Sequence, residues 1–372
     1  MRHFDFLSDQ ERDGAFLVWP EEIDRSSPRE LLGPALGALL YTPAHRPGLA
    51  ESLLAKRHLG LTSVVLCLED SVADADLEDA EDRCAATLRL LDDAARDGAD
   101  LPLTFVRVRS PEHLRHVAAR VHGFGSALAG FVLPKFSPGN AAAYLAAAAE
   151  SPPDGDPWWV MPVLETPDLI HSETRRATLD ELAATVDADG ERVLCIRVGG
   201  ADLSGLYGLR RPRDLTVYDL GVVRDCISDV VNVFGRQGRT LAISGPVYEH
   251  YAQLLDDPAA WVRDPQGADP AYASLVREVW LDLANGMVGK TIIHPSQVGP
   301  VNSITVVDEH DWRDARSILA GAAGGVAASA SGSRMNEPKP HQEWARRTLC
   351  RARSFGVRRA APVASALEVV GG

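Results

Sequence analysis

The chain is short of several things at once, and each shortage excludes a class of protein. Five cysteines occur in 372 residues, Cys67, Cys84, Cys195, Cys226 and Cys350, an odd number with no CxxC pair. That speaks against a disulfide framework and against a paired-cysteine zinc site, and for a reducing compartment. No stretch approaches the ~20 consecutive apolar residues that a membrane helix needs. The opening residues, MRHFDFLSDQERDG, lack the apolar core of a secretory signal, so the expectation is a cytoplasmic protein with no membrane partner. Basic residues are outnumbered, 38 Lys and Arg against 52 Asp and Glu, for a net charge of −14. Nucleic acid is therefore excluded as the main partner, because phosphate binding needs clustered cations. A small anionic ligand stays compatible, since one local arginine outweighs a diffuse and screened charge. Neither GxGxxG nor GxxxxGK[ST] occurs, which removes the common phosphate loops of open α/β sheets.

What the chain does have is a rhythm. Short apolar runs alternate with longer segments of helical period. The runs are ALLYTPA (38–44), SVVLCLED (63–70), LTFVRVR (103–109), GFVLPK (130–135), WWVMPVLET (158–166), VLCIRVGGADL (193–203), LAISGPV (241–247) and GKTIIHP (289–295). Helices are predicted near 47–59, 75–97, 111–122, 138–149, 167–186, 218–235, 270–287 and 309–323. Near-continuous apolar strands separated by helices make a parallel sheet buried on both faces, and eight such units close a (β/α)8 TIM barrel. The expected organisation is an N-terminal extension over 1–35, the barrel over 36–324, and from 325 to 372 a flexible linker, a C-terminal helical arm serving as lid or exchange helix, and a tail.

Almost every run ends in a polar cluster on its C-terminal side, the end at which barrels build their active sites. Glu165 in PVLET and Asp202 in GGADLSG end the fifth and sixth runs, which are neighbours in a barrel. Two carboxylates with room for waters and ligand oxygens suit Mg²⁺ or Mn²⁺; alternatively, each acid caps a local turn. Gly199 and Gly200 before Asp202 would let backbone amides approach a ligand. Arg107 ends the third run in VRVR and could bind a carboxylate through its fork, with Arg109 in phase as support, or make an outer salt bridge. Glu69 and Asp70 end the second run; they either hold waters of a metal and orient Arg107, or cap the next helix. Lys135 in LPKF is either a Schiff-base nucleophile or an ion-pair partner of a nearby acid. Lys290 falls at the opposite end of its strand and reads as structural. His294 falls at the active end, to line it or bond backbone.

Taken in order, YTPAHRPGL, VVLCLEDSV, FVRVRS, VLPKF, PVLET, GGADLSG and GKTIIHPSQV resemble the successive strand-end motifs of the citrate lyase β-subunit/HpcH-HpaI aldolase superfamily. The resemblance covers about 38–300, and NEPKPHQEWARR is similar to the family's C-terminal helix. It implies that Glu165 and Asp202 bind the metal, that Arg107 binds the substrate carboxylate or oxo group, that Glu69 and Asp70 form the acidic pair beside the metal waters, and that the segment from Tyr41 to Arg46 contacts CoA or another extension of the substrate. Thr166–Pro167–Asp168 after Glu165, the N-terminal extension and the insertion near 255–270 depart from the pattern. Such departures fit a divergent lineage like the lyases of bacterial tellurium-resistance and stress gene clusters.

The expected activity is a Mg²⁺-dependent carbon–carbon bond lyase or aldolase acting on a 2-oxo acid or a β-hydroxyacyl thioester. Catalysis falls to Arg107, Glu69 and Asp70, and substrate binding to Arg46, Arg107, Lys135, Gly199 and Gly200, in a homo-oligomer, trimer or hexamer. Rival readings are a malyl-CoA lyase, malate synthase-like or thioesterase activity on an acyl-CoA at the same metal site, Schiff-base chemistry on Lys135, and a non-catalytic part in a stress-response complex.

Overall fold

A computed structural model describes residues 1–56, 59–124, 127–150, 158–189, 192–321, 327–328 and 335–360. Its central element follows from the apolar runs. The barrel strands are β1 (Ala38–Pro43), β2 (Ser63–Cys67), β3 (Leu103–Arg107), β4 (Gly130–Leu133), β5 (Trp159–Leu164), β6 (Cys195–Val198), β7 (Ala242–Ser244) and β8 (Lys290–Ile292). Each pairs in parallel with its sequence neighbour, and β8 pairs with β1. A parallel bridge from Gly245 to Lys290 closes the ring between β7 and β8, with the Val288 amide donating to the Ile243 carbonyl at 2.8 Å. The fold is the expected (β/α)8 barrel.

Alternation along the strands sorts side chains into two layers. Leu39, Val65, Phe105, Val132, Met161, Val163, Cys195 and Ala242 fill the lumen. The intervening residues, among them Leu40, Leu66, Val106, Phe131, Leu164 and Ile196, pack against the helices. This double burial is why the strands read as unbroken apolar runs.

Two compact units divide the chain. One comprises Met1–Phe6 and Glu22–Thr305, the other Leu7–Glu21 and the chain from Val306 on. These bounds differ from the sequence reading in two places. Residues 22–35 are part of the barrel unit: Leu32, on the helix Arg29–Ala35, and Leu36 just after it join the lumen cluster, and the Trp159 indole donates to the Arg25 carbonyl at 2.8 Å. At the other boundary, the barrel unit ends with the helix Val298–Thr305, which follows β8. Its sequence, VGPVNSIT, holds Gly, Pro and β-branched residues, so propensity does not announce it. Asn302 anchors it by accepting from the Ala38 amide at 2.9 Å. The insertion near 255–270 carries the short helix Ala260–Arg263, and its buried Trp261 lies over Gly299 of that last helix.

In the second unit, Glu309–Ala320 and Pro338–Phe355 pack on each other through Ala315, Ile318 and Ala345. Phe16–Val18 runs antiparallel to Val357–Arg358, which runs parallel to Val307–Asp308. The predicted C-terminal helix is therefore present. The expected flexible linker falls mostly, and the tail almost wholly, outside the described residues; of the linker, Ala327–Ala328 is described, paired with Met335–Asn336. Among the described residues no helix is long and apolar enough to cross a membrane.

Candidate active site

The C-terminal ends of β2 to β6 bring most of the named residues together. Arg107, at the end of β3, extends a buried guanidinium to three carboxylates: Nη2 lies 2.9 Å from Glu69 Oε2 and 2.9 Å from Glu165 Oε1, and Nη1 lies 3.2 Å from Asp70 Oδ2. Burial works against its charge, but Glu165 and Glu69 outweigh burial and hold the guanidinium protonated. Lys135 follows β4 in a left-handed conformation, φ +48°. That turn lets its backbone amide donate to Glu165 Oε1 at 3.0 Å while its ammonium pairs with Glu69 and reaches Asp70 Oδ1 at 3.4 Å. Burial pulls the lysine pKa down, and the pairing with Glu69 and Asp70 more than reverses this, so the amine stays charged above the usual lysine range.

Arg109 is the support expected of it, but acts on a loop. Its Nε donates to the Leu68 carbonyl at 2.8 Å and Nη2 to the Val72 carbonyl at 2.6 Å, so both sides of the Glu69–Asp70 turn are held.

Glu165 is the hinge of the arrangement. It is buried, and only Oε1 receives hydrogen bonds, from Arg107 and the Lys135 amide. Among the described residues nothing bonds to Oε2. Burial raises its pKa, Arg107 opposes this, and the charge of Asp202 adds to the rise, which brings the carboxyl to about 7. Asp202 is half-buried in the helix Gly200–Gly205, just beyond β6. Gly199 and Gly200 meet a packing demand of their own. A Cβ at Gly199 would run into the Glu165 carboxylate and Cβ, and one at Gly200 would meet the Pro246 ring at 2.9 Å. Glycine is needed there for the close approach of Glu165 and Pro246.

The remaining candidates are spread out. Arg46 is exposed in the loop after β1. His294 stacks on Tyr251, ring centres 4.5 Å apart, and accepts from the Ser296 amide at 3.3 Å. Lys290 is fully buried between Glu278 and Asp282 at the far end of its strand. The residue that sequence reasoning missed is Arg197 on β6, 2% exposed and directed into the lumen. The signal was available: in CIRV it alternates in phase with the lumen residue Cys195.

Among the described residues no three His, Cys, Asp or Glu side chains form a metal cluster. The donor set at the strand ends is two carboxylates, one with an uncommitted oxygen, which fits a hard divalent cation that keeps most of its positions for water and substrate. A cavity of about 180 Å³ lined by Met1, Arg25, Asp100, Leu103 and Ala129 opens at the other end of the strands, away from these groups.

The family model described as C–C bond lyase of the TIM-barrel fold matches residues 30–357. This chain belongs to that family. The lyase is similar in fold to CitE from Mycobacterium tuberculosis, solved with magnesium, acetoacetate and coenzyme A, at 21% identity and a TM-score of 0.54 over 88% of this chain and 99% of that one. A citrate lyase from Burkholderia xenovorans LB400 gives 18% identity and a TM-score of 0.58 over 88% and 94%. No curated protein matches the lyase in sequence.

Proposed function

We propose that this lyase cleaves or forms a carbon–carbon bond next to the oxo group of a 2-oxo acid, with Mg²⁺ held by Glu165 and Asp202. The observation that carries the reading is the division of labour on Glu165: Oε1 is fixed by Arg107 and the Lys135 amide, while Oε2 is left for a cation. The magnesium of the structurally similar CitE complex supports the choice of ion. When bound, the ion supplies Lewis-acid polarisation of the oxo group.

The chain's own residues do the rest. Arg107 presents fixed positive charge beside the place where enolate charge develops, which lowers the barrier without reorganisation. Glu69 and Asp70 take up the substrate hydroxyl proton, directly or through a water they hold. Burial raises the pKa of Glu69 against the pull of Arg107, which suits it to receive a proton. Lys135 keeps that pair in place and, held charged, is no nucleophile; Schiff-base chemistry is the weaker reading.

An acyl-CoA substrate is the second reading, supported by the coenzyme A of the CitE complex and by the exposed Arg46 beside the β1 loop. The same proposal includes a cytoplasmic homo-oligomer, trimer or hexamer, which light scattering on the purified protein checks. The deciding experiment is calorimetry of pyruvate binding with and without Mg²⁺, followed by turnover of 4-hydroxy-2-oxo acids. Binding that ignores Mg²⁺ defeats the reading.

A further inference from the structure

Arg197 has no part in the chemistry above, yet its guanidinium is buried in the lumen. Its Nη2 donates to Thr291 Oγ1 on β8, and its Cζ stands 5.7 Å from the Tyr41 ring centre on β1, so the side chain crosses the barrel from β6. Nε and Nη1 are buried and, among the described residues, have no hydrogen-bond partner. Arg107 faces three carboxylates; Arg197, among the described residues, forms no ion pair with any. A guanidinium cannot escape burial by losing its proton, and an unpaired buried charge lowers stability. Tyr41 and Thr291, its lumen neighbours, are only half-buried.

We propose that Arg197 is a specificity-determining residue that binds a second carboxylate of the substrate, so that the lyase prefers 2-oxo dicarboxylates to 2-oxo monocarboxylates. This rests on the proposed function for the position of the 2-oxo acid end. Arg197 pairs in register with Val163, two residues before Glu165. That sets it roughly 7 Å deeper along the strands than the metal-binding carboxylate, a separation that a short dicarboxylate spans. Donors are open on both edges of the guanidinium fork, and the Tyr41 ring lies beside it. The cost of burying the charge is what the ligand's carboxylate would relieve.

The test is calorimetry on the full chain with Mg²⁺, comparing oxaloacetate with pyruvate, for the wild type and Arg197→Met. The wild type is expected to bind oxaloacetate more tightly, and the variant to lose that advantage by roughly 10- to 100-fold, the worth of a charge-assisted hydrogen bond, with pyruvate affinity kept. Succinate, with no oxo group, is expected to bind the metal-free wild type and not the variant. Thermal melting supplies the readout that a merely structural arginine would fail: Arg197→Met is expected to melt at or above the wild-type temperature. Arg197→Lys, which keeps charge but not the fork, is expected to lose part of the preference and covers the case in which methionine prevents folding. Unchanged oxaloacetate preference in either variant overturns the proposal, as does an unchanged succinate affinity. Failure of the metal reading shows separately, as wild-type pyruvate binding that ignores Mg²⁺.

Discussion

Two of the buried-charge clusters in the barrel unit are built to opposite ends. Around Lys290, each charge meets its counter-charge inside the protein. The ammonium lies 2.8 Å from Glu278 Oε1 and 2.7 Å from Asp282 Oδ2. Tyr218 donates to Asp282 Oδ1 at 2.8 Å, the Val217 amide donates to Glu278 Oε2 at 2.6 Å, and Arg211 pairs with both Glu278 and Glu249. Around Arg107 the accounts stay open. Among the described residues, Glu165 keeps one oxygen unbonded and Arg107 Nε is buried without a partner, and the side chains of Asp70 and Lys135 are 53% and 52% exposed. A charge cluster satisfied by its own residues is a scaffold; one with leftover valence turned to the strand ends is a place for a ligand. Arg197 belongs with the second kind.

The sharpest way to break this contrast is to remove an open valence. Glu165→Gln and Asp202→Asn are each expected to abolish Mg²⁺ binding in calorimetry and to lower lyase turnover by about 10³-fold or more, since metal and electrostatic help are lost together. Melting temperature of Glu165→Gln should change little or rise, because a carboxylate that burial disfavours is gone. Lys290→Met should do the reverse. It leaves Asp282 buried without its cation and Glu278 with Arg211 alone, at a cost of about 3–5 kcal/mol in a denaturant titration, while the protein that remains folded keeps its Mg²⁺ affinity. Equal loss of metal affinity in Lys290→Met would dissolve the distinction between the clusters.

Much of the open cluster was legible in the sequence for a simple reason. Acids and arginines at the C-terminal ends of apolar runs have no role in a buried strand, so their presence there points to the site; Glu69, Arg107, Lys135 and Glu165 all converge as the run ends suggested. The role of Gly199 was not legible, because the collision it avoids is with Glu165, 34 positions earlier in the chain. Arg197 escaped because a single charged residue inside CIRV looks like an interruption of the strand until Thr291 and Tyr41 appear across the lumen. The helix Val298–Thr305 was missed because tertiary contacts, such as Asn302 on the Ala38 amide, stabilise a sequence of poor helix propensity. The chain's two-unit division was equally hidden, since Phe16–Val18 finds its strand partner at Val357–Arg358, far along the sequence.

A smaller change sharpens the picture at Gly199. Alanine there must push the Glu165 carboxylate aside, so Gly199→Ala is expected to weaken Mg²⁺ binding by about 10- to 100-fold, worth about 1.4–2.8 kcal/mol, with the fold kept. Unaltered affinity would mean that Glu165 does not hold the ion.

The smallest expected effect is a pH slope, and it separates the clusters without mutation. Burial, with the Asp202 charge, raises Glu165 to about 7 against Arg107, and burial, with the Glu278 charge, raises Asp282 to about 6 against Lys290. A carboxyl whose pKa is higher folded than unfolded binds more protons in the native state, so each group makes stability fall as pH rises from its unfolded value through its folded one. The windows are about 4.5 to 7 for Glu165 and about 3.8 to 6 for Asp282, with slopes approaching about 1.4 kcal/mol per pH unit for each. Denaturant titrations between pH 5 and 7.5 should show the decline. Saturating Mg²⁺ should remove the Glu165 contribution across its window, because a cation on Glu165 favours the carboxylate in the folded state alone; the curve should flatten between pH 6 and 7 and keep only the Asp282 slope below pH 6, because Asp282 already has its cation in Lys290. If Mg²⁺ shifts stability equally across the whole range, the ion is not bound at Glu165.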